Sequence, residues 1–547
     1  MYGGGHPPGL LPLRARGSVA LSLVGAVGAL GTPFLLDDGS GTLGGLVLYA
    51  CVVLAGTGAI YAYRGWPSLL AVSFVGGWSV LLAGFWSAPS PTTGRYPEDL
   101  VALQLGVSFA WLLFWLVPTL REALRARYPA ALPSPANAFV GGGVLAHATS
   151  VSSPLVALAF TQAIWQPASG VLGSVALAAA ALYALAALAL RRLEGTHIQS
   201  ASLSFTQALV ALLLLTISMV LVLDGDALLF ALAAEAAVLH AAARRISSRV
   251  LSFEAHVLWA AVAVWVCGRL LIGLLVGPFP GSLPAPFLGA ASLTDLAVIV
   301  LAFLSSRELS PRGATSTYRA LAHAAVLAWL ARELLPLPYG ETWALLSWAF
   351  YAVALHLVSR RLPRGGTGEV AHVVSAAVAV WLGARLVGGT LAPGYPGAPI
   401  FNAQGLADLA VIALLALAGL LPGAVSPRRL ARVYGLAAHA AFLAWLWREL
   451  SMPPGGEAYV TVAWGSYAVA LLVAGLRLDR VSLFRAGMTT LFLVVGKLFL
   501  VDLASIEAVW RVLLFLGFGA LFLALSFYTR SLWRPGRNGP IPGSEES

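Results

Sequence analysis

The 547-residue chain is 59% hydrophobic and 10% charged, with a formal net charge of +10 and a mean hydropathy of +0.85. An ordinary soluble domain carries roughly 25% charged residues, so this balance excludes a soluble enzyme and points to an all-α, polytopic integral membrane protein. In a soluble chain the positive charge would suggest nucleic acid. Here it lies in short loops between apolar runs, so the expected partner is the lipid bilayer and no nucleic acid.

Runs of about twenty apolar residues are long enough to cross a hydrocarbon core of roughly 30 Å as helices. In chain order, a polar tail at 1–17 precedes a first four-span unit, 18–118, with runs at 18–36, 43–62, 68–86 and 100–118. Arg14 and Arg16 ahead of the first run mimic a signal peptide, but its length and the span that follows favour a retained helix. A linker and two-span unit follows at 119–200, with runs at 137–165 and 170–190. The first of these contains Pro154 after a polar stretch and is expected to be an interrupted helix. Three further four-span units are expected at 201–305, 318–421 and 434–530, then a disordered tail at 531–547. The total is about eighteen spans. Cys51 and Cys267 both fall inside runs, which leaves no disulfide framework.

Of the 33 Lys and Arg residues, 26 fall in connections on one side, only Arg95 falls on the other, and six lie inside spans. Cationic loops remain on the cytoplasmic side, so both termini are expected in the cytoplasm.

Self-comparison supplies the strongest internal pattern. His240, Arg244, Arg245, His256, Trp265 and Arg269 recur 116 residues later as His356, Arg360, Arg361, His372, Trp381 and Arg385. The same offset takes His323, Trp329, Arg332, Glu333, Trp348 and Tyr351 to His439, Trp445, Arg448, Glu449, Trp464 and Tyr467. Asp295 maps to Asp408 with an offset of 113, the difference falling in a loop. The last copy is degenerate, with Lys497 at the position of Arg269 and Arg511 where the aspartate stood. An even number of spans keeps each copy in the same orientation, so the copies form a parallel, not an inverted, repeat.

The charges inside spans form a belt near the outer ends: Arg269, Asp295, Arg332, Glu333, Arg385, Asp408, Arg448, Glu449, Lys497, Asp502 and Arg511. A charge near the bilayer centre costs about 2.5–3.5 kcal/mol on insertion scales, so each needs a partner or a wet cavity. One reading pairs Arg269 with Asp295 and Arg385 with Asp408 as clamps between consecutive helices, with Arg332 and Arg448 snorkelling or pairing locally. Another converges the belt on an outward-facing polar cavity for an anionic or glycan-like envelope molecule, where Trp343, Trp348, Trp464, Tyr351 and Tyr467 stack on sugar or lipid.

Glu235 stands apart as a mid-span acid about 12 Å inside its run at the helical rise. Such a carboxyl is either protonated and hydrogen-bonded, with Gln207 or a tyrosine as partner, or poised for proton exchange. Its counterparts in the later copies are Tyr351 and Tyr467. No phosphate loop, dinucleotide fingerprint, zinc-protease helix or nucleophile elbow occurs, the histidines have no convincing metal spacing, and no metal or cofactor is expected. The weak catalytic candidates are Asp37 and Asp38, placed in an early outer loop as the acid of a membrane glycosyl- or acyl-transferase would be.

Gly496-Lys-Leu-Phe-Leu-Val-Asp-Leu503, Trp510-Arg-Val-Leu-Leu-Phe-Leu-Gly-Phe-Gly519 and Tyr528-Thr-Arg530, with Gly31-Thr-Pro-Phe34 near the start and an acid at Glu235, resemble the predicted membrane protein family called domain of unknown function 2339. The resemblance covers roughly residues 20–530 and implies a bacterial inner-membrane protein of many spans. It implies no activity. The leading expectation is a non-enzymatic protein that binds or translocates a lipid-linked or glycan-like molecule, with an outer-side transferase or a structural scaffold as alternatives. Oligomeric state is not readable.

Overall fold

The computed structural model describes residues 11–36, 42–87, 97–127, 142–194, 203–276, 287–308, 312–361, 367–391, 400–421, 428–451 and 456–500, with scattered positions between 509 and 527. Among the described residues there are seventeen helices and no strand. They are α1 (Leu11–Leu36), α2 (Leu43–Arg64), α3 (Pro67–Ser87), α4 (Pro97–Arg127), α5 (Gly142–Trp165), α6 (Ser169–Glu194), α7 (Leu203–Val222), α8 (Gly225–Ile246) and α9 (Arg249–Val276). The remainder are α10 (Ala290–Glu308), α11 (Arg312–Leu334), α12 (Gly340–Arg361), α13 (Thr367–Leu391), α14 (Ala403–Leu420), α15 (Arg428–Leu450), α16 (Gly456–Arg477) and α17 (Val481–Leu500).

Fourteen of the seventeen are long and apolar enough to cross a membrane. In lipid no water is present to bond exposed peptide groups, so a spanning segment satisfies its backbone internally and helices are the solution. The protein is a multi-pass, all-α membrane protein. The apolar core of α1 is shorter, Val19–Leu35. The two other helices outside the set, α11 and α15, are 23 residues each, about 35 Å at the helical rise. Charged pairs in their last turns and arginines in their first turns lower their hydropathy. The expected eighteenth span, 508–529, lies outside the fully described residues.

Where the sequence suggests an interrupted helix, α5 runs without a break through Pro154. Pro154 is buried in this helix, and Ser153 Oγ beside it donates to Trp111 O at 3.3 Å on α4. Several helix ends are set by individual residues. Thr42 caps α2 by accepting from Gly45 N at 3.2 Å, and Gly65 ends it in the left-handed region at φ 69°, a conformation open to glycine because it lacks a Cβ. Asn402 caps α14, its Oδ1 accepting from Gly405 N at 2.6 Å.

The chain divides into two compact units: Met1–Val266 with Leu293–Pro311, and Cys267–Ser292 with Arg312–Ser547. In the first, Leu54, Leu81, Val107, Ala110 and Phe114 from α2, α3 and α4 form a core that Phe160 and Ile164 of α5 complete. A second core joins Trp115 of α4 to Tyr183 of α6 and Val210 and Leu214 of α7. In the second unit, α12 packs on α13 and α14, and α13 and α14 both pack on α15. Leu345, Val378, Leu382, Val411, Leu415, Trp445 and Leu446 fill the centre of that four-helix cluster. Its packing brings together one end of each of the four helices.

Candidate functional site

Each of those ends contributes a polar side chain: Thr342 in the first turn of α12, Asp408 in the second turn of α14, Arg385 before the last turn of α13 and Arg448 in the last turn of α15. Arg448 lies in the last turn of α15 and its side chain is 1% exposed. Its Nη1 donates to Asp408 Oδ2 of α14 at 2.6 Å, while its Nε and Nη2 donate to Glu449 Oε1 at 3.1 and 2.7 Å. Glu449 is held from the other side as well. Its Oε2 accepts from Ile400 N at 3.1 Å and from Asn402 Nδ2 at 2.7 Å. Ile400 adopts φ 68°, an outlier for a β-branched residue, and the bond from its N–H to the carboxylate helps hold it there.

Asp408 also faces Arg385 of α13, with Nε 3.4 Å from Oδ1. Arg385 Nη2 donates to Thr342 Oγ1 in the first turn of α12 at 2.6 Å. Two guanidinium and two carboxylate groups thus form a neutral, buried cluster joining four helices. Arg385 Nη1 and Asp408 Oδ1, on the two sides of the longer contact, have no hydrogen-bond partner among the described residues. Close approach of α13 to α15 is possible because residue 389 is glycine: a Cβ there would lie 2.7 Å from Arg448 Cδ.

A second cluster in the same unit has matching parts. Arg332 donates from Nε and Nη2 to Glu333 Oε1 at 3.0 and 2.6 Å. Glu333 Oε2 accepts from Phe287 N at 3.1 Å, and Phe287 has φ 69°. A Cβ at Gly273 would lie 2.6 Å from Arg332 Cδ. Trp329 Nε1 donates to Ser292 O at 3.1 Å, as Trp445 Nε1 donates to Gly405 O at 2.8 Å. Arg269 Nη2 donates to Ala291 O at 2.6 Å. Asp295, which belongs to the first unit, is fully buried in α10. Lys497, near the end of α17, donates to Glu457 O and Thr461 Oγ1 at 3.0 and 2.9 Å and lies over the Trp447 ring.

The model of the family described as predicted membrane protein (DUF2339) matches residues 11–532. The chain belongs to this family. No curated protein and no solved structure matches it, so the chemistry of a site in this member of the family has to come from its own residues.

Asp37, Asp38, Asp502 and Arg511 lie outside the described residues. Among the described residues no group of three or more His, Cys, Asp or Glu side chains could hold a metal ion. Of the aromatic residues, Trp348 and Trp464 spend their indole N–H on Leu327 O and Leu443 O at 3.0 and 3.1 Å. Trp343 is 46% exposed. Tyr351 and Tyr467 turn inward, their hydroxyls 2.6 Å from His323 Nδ1 and 3.0 Å from His439 Nδ1.

Glu235 is buried at 7% exposure in the middle of α8. Its Oε1 lies 2.7 Å from Thr216 Oγ1 of α7. Gln207 is engaged elsewhere: its Oε1 accepts from Trp115 Nε1 at 2.9 Å and its Nε2 donates to Ser150 Oγ at 3.4 Å. Sequence reasoning missed the histidine pairs toward the other helix ends. The His240 and His256 rings lie 4.8 Å apart, and those of His356 and His372 4.9 Å apart, both edge to face. The 116-residue offset relating these pairs was the available signal.

Proposed function

We propose that the protein is a non-enzymatic scaffold of a bacterial inner membrane, with both termini cytoplasmic and parallel four-helix modules locked near the outer face by buried ion clusters. One observation carries this reading. Arg448 is buried to 1% exposure while paired with two carboxylates, and both oxygens of Glu449 are taken by groups of the same chain. A cation engaged in this way fastens helices and offers nothing to a substrate. The arginine bias among the loops supports the orientation, and matching contacts around Arg332 and Arg448 support duplicated modules.

A second reading is favoured by Arg385 Nη1 and Asp408 Oδ1, the adjacent buried atoms without a hydrogen-bond partner. Together they fit a hydroxyl, which would accept from Nη1 and donate to Oδ1, of a lipid-linked or glycan-like molecule that the protein would bind or translocate. Support for a transferase rests on Asp37 and Asp38 alone and is the weakest of the three. Native mass spectrometry of protein purified gently in its own lipids, wild type beside Arg385→Gln at matched stability, separates the first two. The scaffold reading predicts only bulk phospholipid on both. A defined mass lost from the variant would replace it with the ligand reading.

A further inference from the structure

In the two later modules, a histidine and a tyrosine 28 residues apart face each other across neighbouring helices: His323 with Tyr351, and His439 with Tyr467. The corresponding positions in the module at 201–305 are Gln207 and Glu235. Here the pair is open. Gln207 bonds to Trp115 and Ser150, and Glu235 Oε2 is buried with no hydrogen-bond partner among the described residues.

Hydrogen counting around the other carboxyl oxygen fixes more. Thr216 Oγ1 lies 3.0 Å from Leu212 O, the carbonyl one turn back on its own helix, and 2.7 Å from Glu235 Oε1. A hydroxyl has a single hydrogen, and a carbonyl oxygen can only accept. If Thr216 donates to Leu212 O, then Glu235 must supply the hydrogen for the shorter contact, which it can do only as a neutral carboxylic acid. If Thr216 donates to Glu235 instead, the carboxylate has one donor for two oxygens in a setting without water. The neutral form satisfies both contacts and leaves no charge at mid-depth.

The facing helix α7 has no titratable side chain between Leu203 and Val222. From α9, Glu254 lies close enough to Glu235 for their charges to interact. His240, five residues farther along α8, pairs with His256 of α9. Beyond them lie Arg244, Arg245 and Arg249 at the helix ends.

We propose that Glu235 is a reversible proton-binding site peculiar to this module, loaded and unloaded from the arginine-rich ends of α8 and α9 past Glu254, His240 and His256. The step is the gain or loss of one proton at the carboxyl, with one unit of negative charge removed or restored and no other bond made or broken.

Infrared difference spectroscopy of the full chain in lipid tests this, with Glu235→Gln as reference because the amide can donate to Thr216 as the acid does. The wild type is expected to show a protonated-carboxyl stretch that the variant lacks, that shifts in D2O and that disappears in alkali. Exchange in D2O is expected to slow by about an order of magnitude in His240→Phe/His256→Phe. Absence of the band at every pH, or a band that neither exchanges nor titrates, overturns the proposal. Should the histidine double variant fail to fold, mapping of dicyclohexylcarbodiimide adducts in wild-type membranes decides: adducts on Glu235 that decline as pH rises support it, and none at any pH overturns it.

Discussion

The α7–α8 pair and the α15–α16 pair meet the same problem, a polar position facing its neighbour across an apolar contact, and resolve it differently. Between α15 and α16, His439 and Tyr467 stand 3.0 Å apart, and Thr490 Oγ1 of α17 lies 3.1 Å from His439 Nε2. Two neutral groups that can each donate and accept close a short network. Between α7 and α8, the acid meets a single hydroxyl already within reach of another acceptor. The shape of the contact is kept while the hydrogen-bond inventory is not, which separates a position that only holds helices together from one that can change its protonation state.

The largest expected effect comes from breaking the ion cluster. Asp408→Ala leaves the Arg448 and Arg385 guanidinium groups short of an anion in a buried setting, and the loss of stability should be about 3–5 kcal/mol, read by thermal or chemical unfolding in lipid. Next is the glycine contact. Gly389→Ala places a Cβ against Arg448 Cδ and should cost about 1–3 kcal/mol. Gly383→Ala on the same helix meets nothing within 4 Å, so it should be neutral or stabilise by up to about 1 kcal/mol. Equal losses at the two glycines would remove the close-approach argument.

Smaller effects bear on the comparison itself. Tyr467→Phe removes the hydroxyl facing His439 and should cost about 1 kcal/mol. Glu235→Gln keeps a donor to Thr216 and leaves an oxygen at the other position as the acid does, so it should stay within about 0.5 kcal/mol of wild type. A larger loss for Glu235→Gln than for Tyr467→Phe would mean that the acid, and not the tyrosine, is the structural member of the two.

Membrane spans were legible because hydropathy over twenty residues survives any detail of packing. Helices α11 and α15 were legible as spans at 318–336 and 434–451, yet both begin six residues earlier, at Arg312 and Arg428, because a helix continues past the apolar run into its polar first turns. The pairing of Arg385 with Asp408 followed from consecutive helices. The shorter contact, from Arg448 to Asp408, was not legible, since it depends on α14 packing against α15 and on Gly389 admitting the arginine stem. Local pairing of Arg448 was one of two sequence alternatives, beside snorkelling, and the backbone N–H of Ile400 that completes the Arg448–Glu449 contact was not legible. Gln207 was a sequence candidate for the partner of Glu235. Its capture by Trp115 depends on α4 and α7 coming together, which no periodicity within either helix encodes.

The central claim is that the Arg448–Asp408 contact fastens α14 to α15. A double-mutant cycle with Arg448→Met and Asp408→Asn, read by unfolding in lipid at matched ionic strength, tests it most directly. The account predicts a coupling of about 2 kcal/mol, larger than that of the corresponding Arg385–Asp408 cycle, while a coupling below about 0.5 kcal/mol would contradict it.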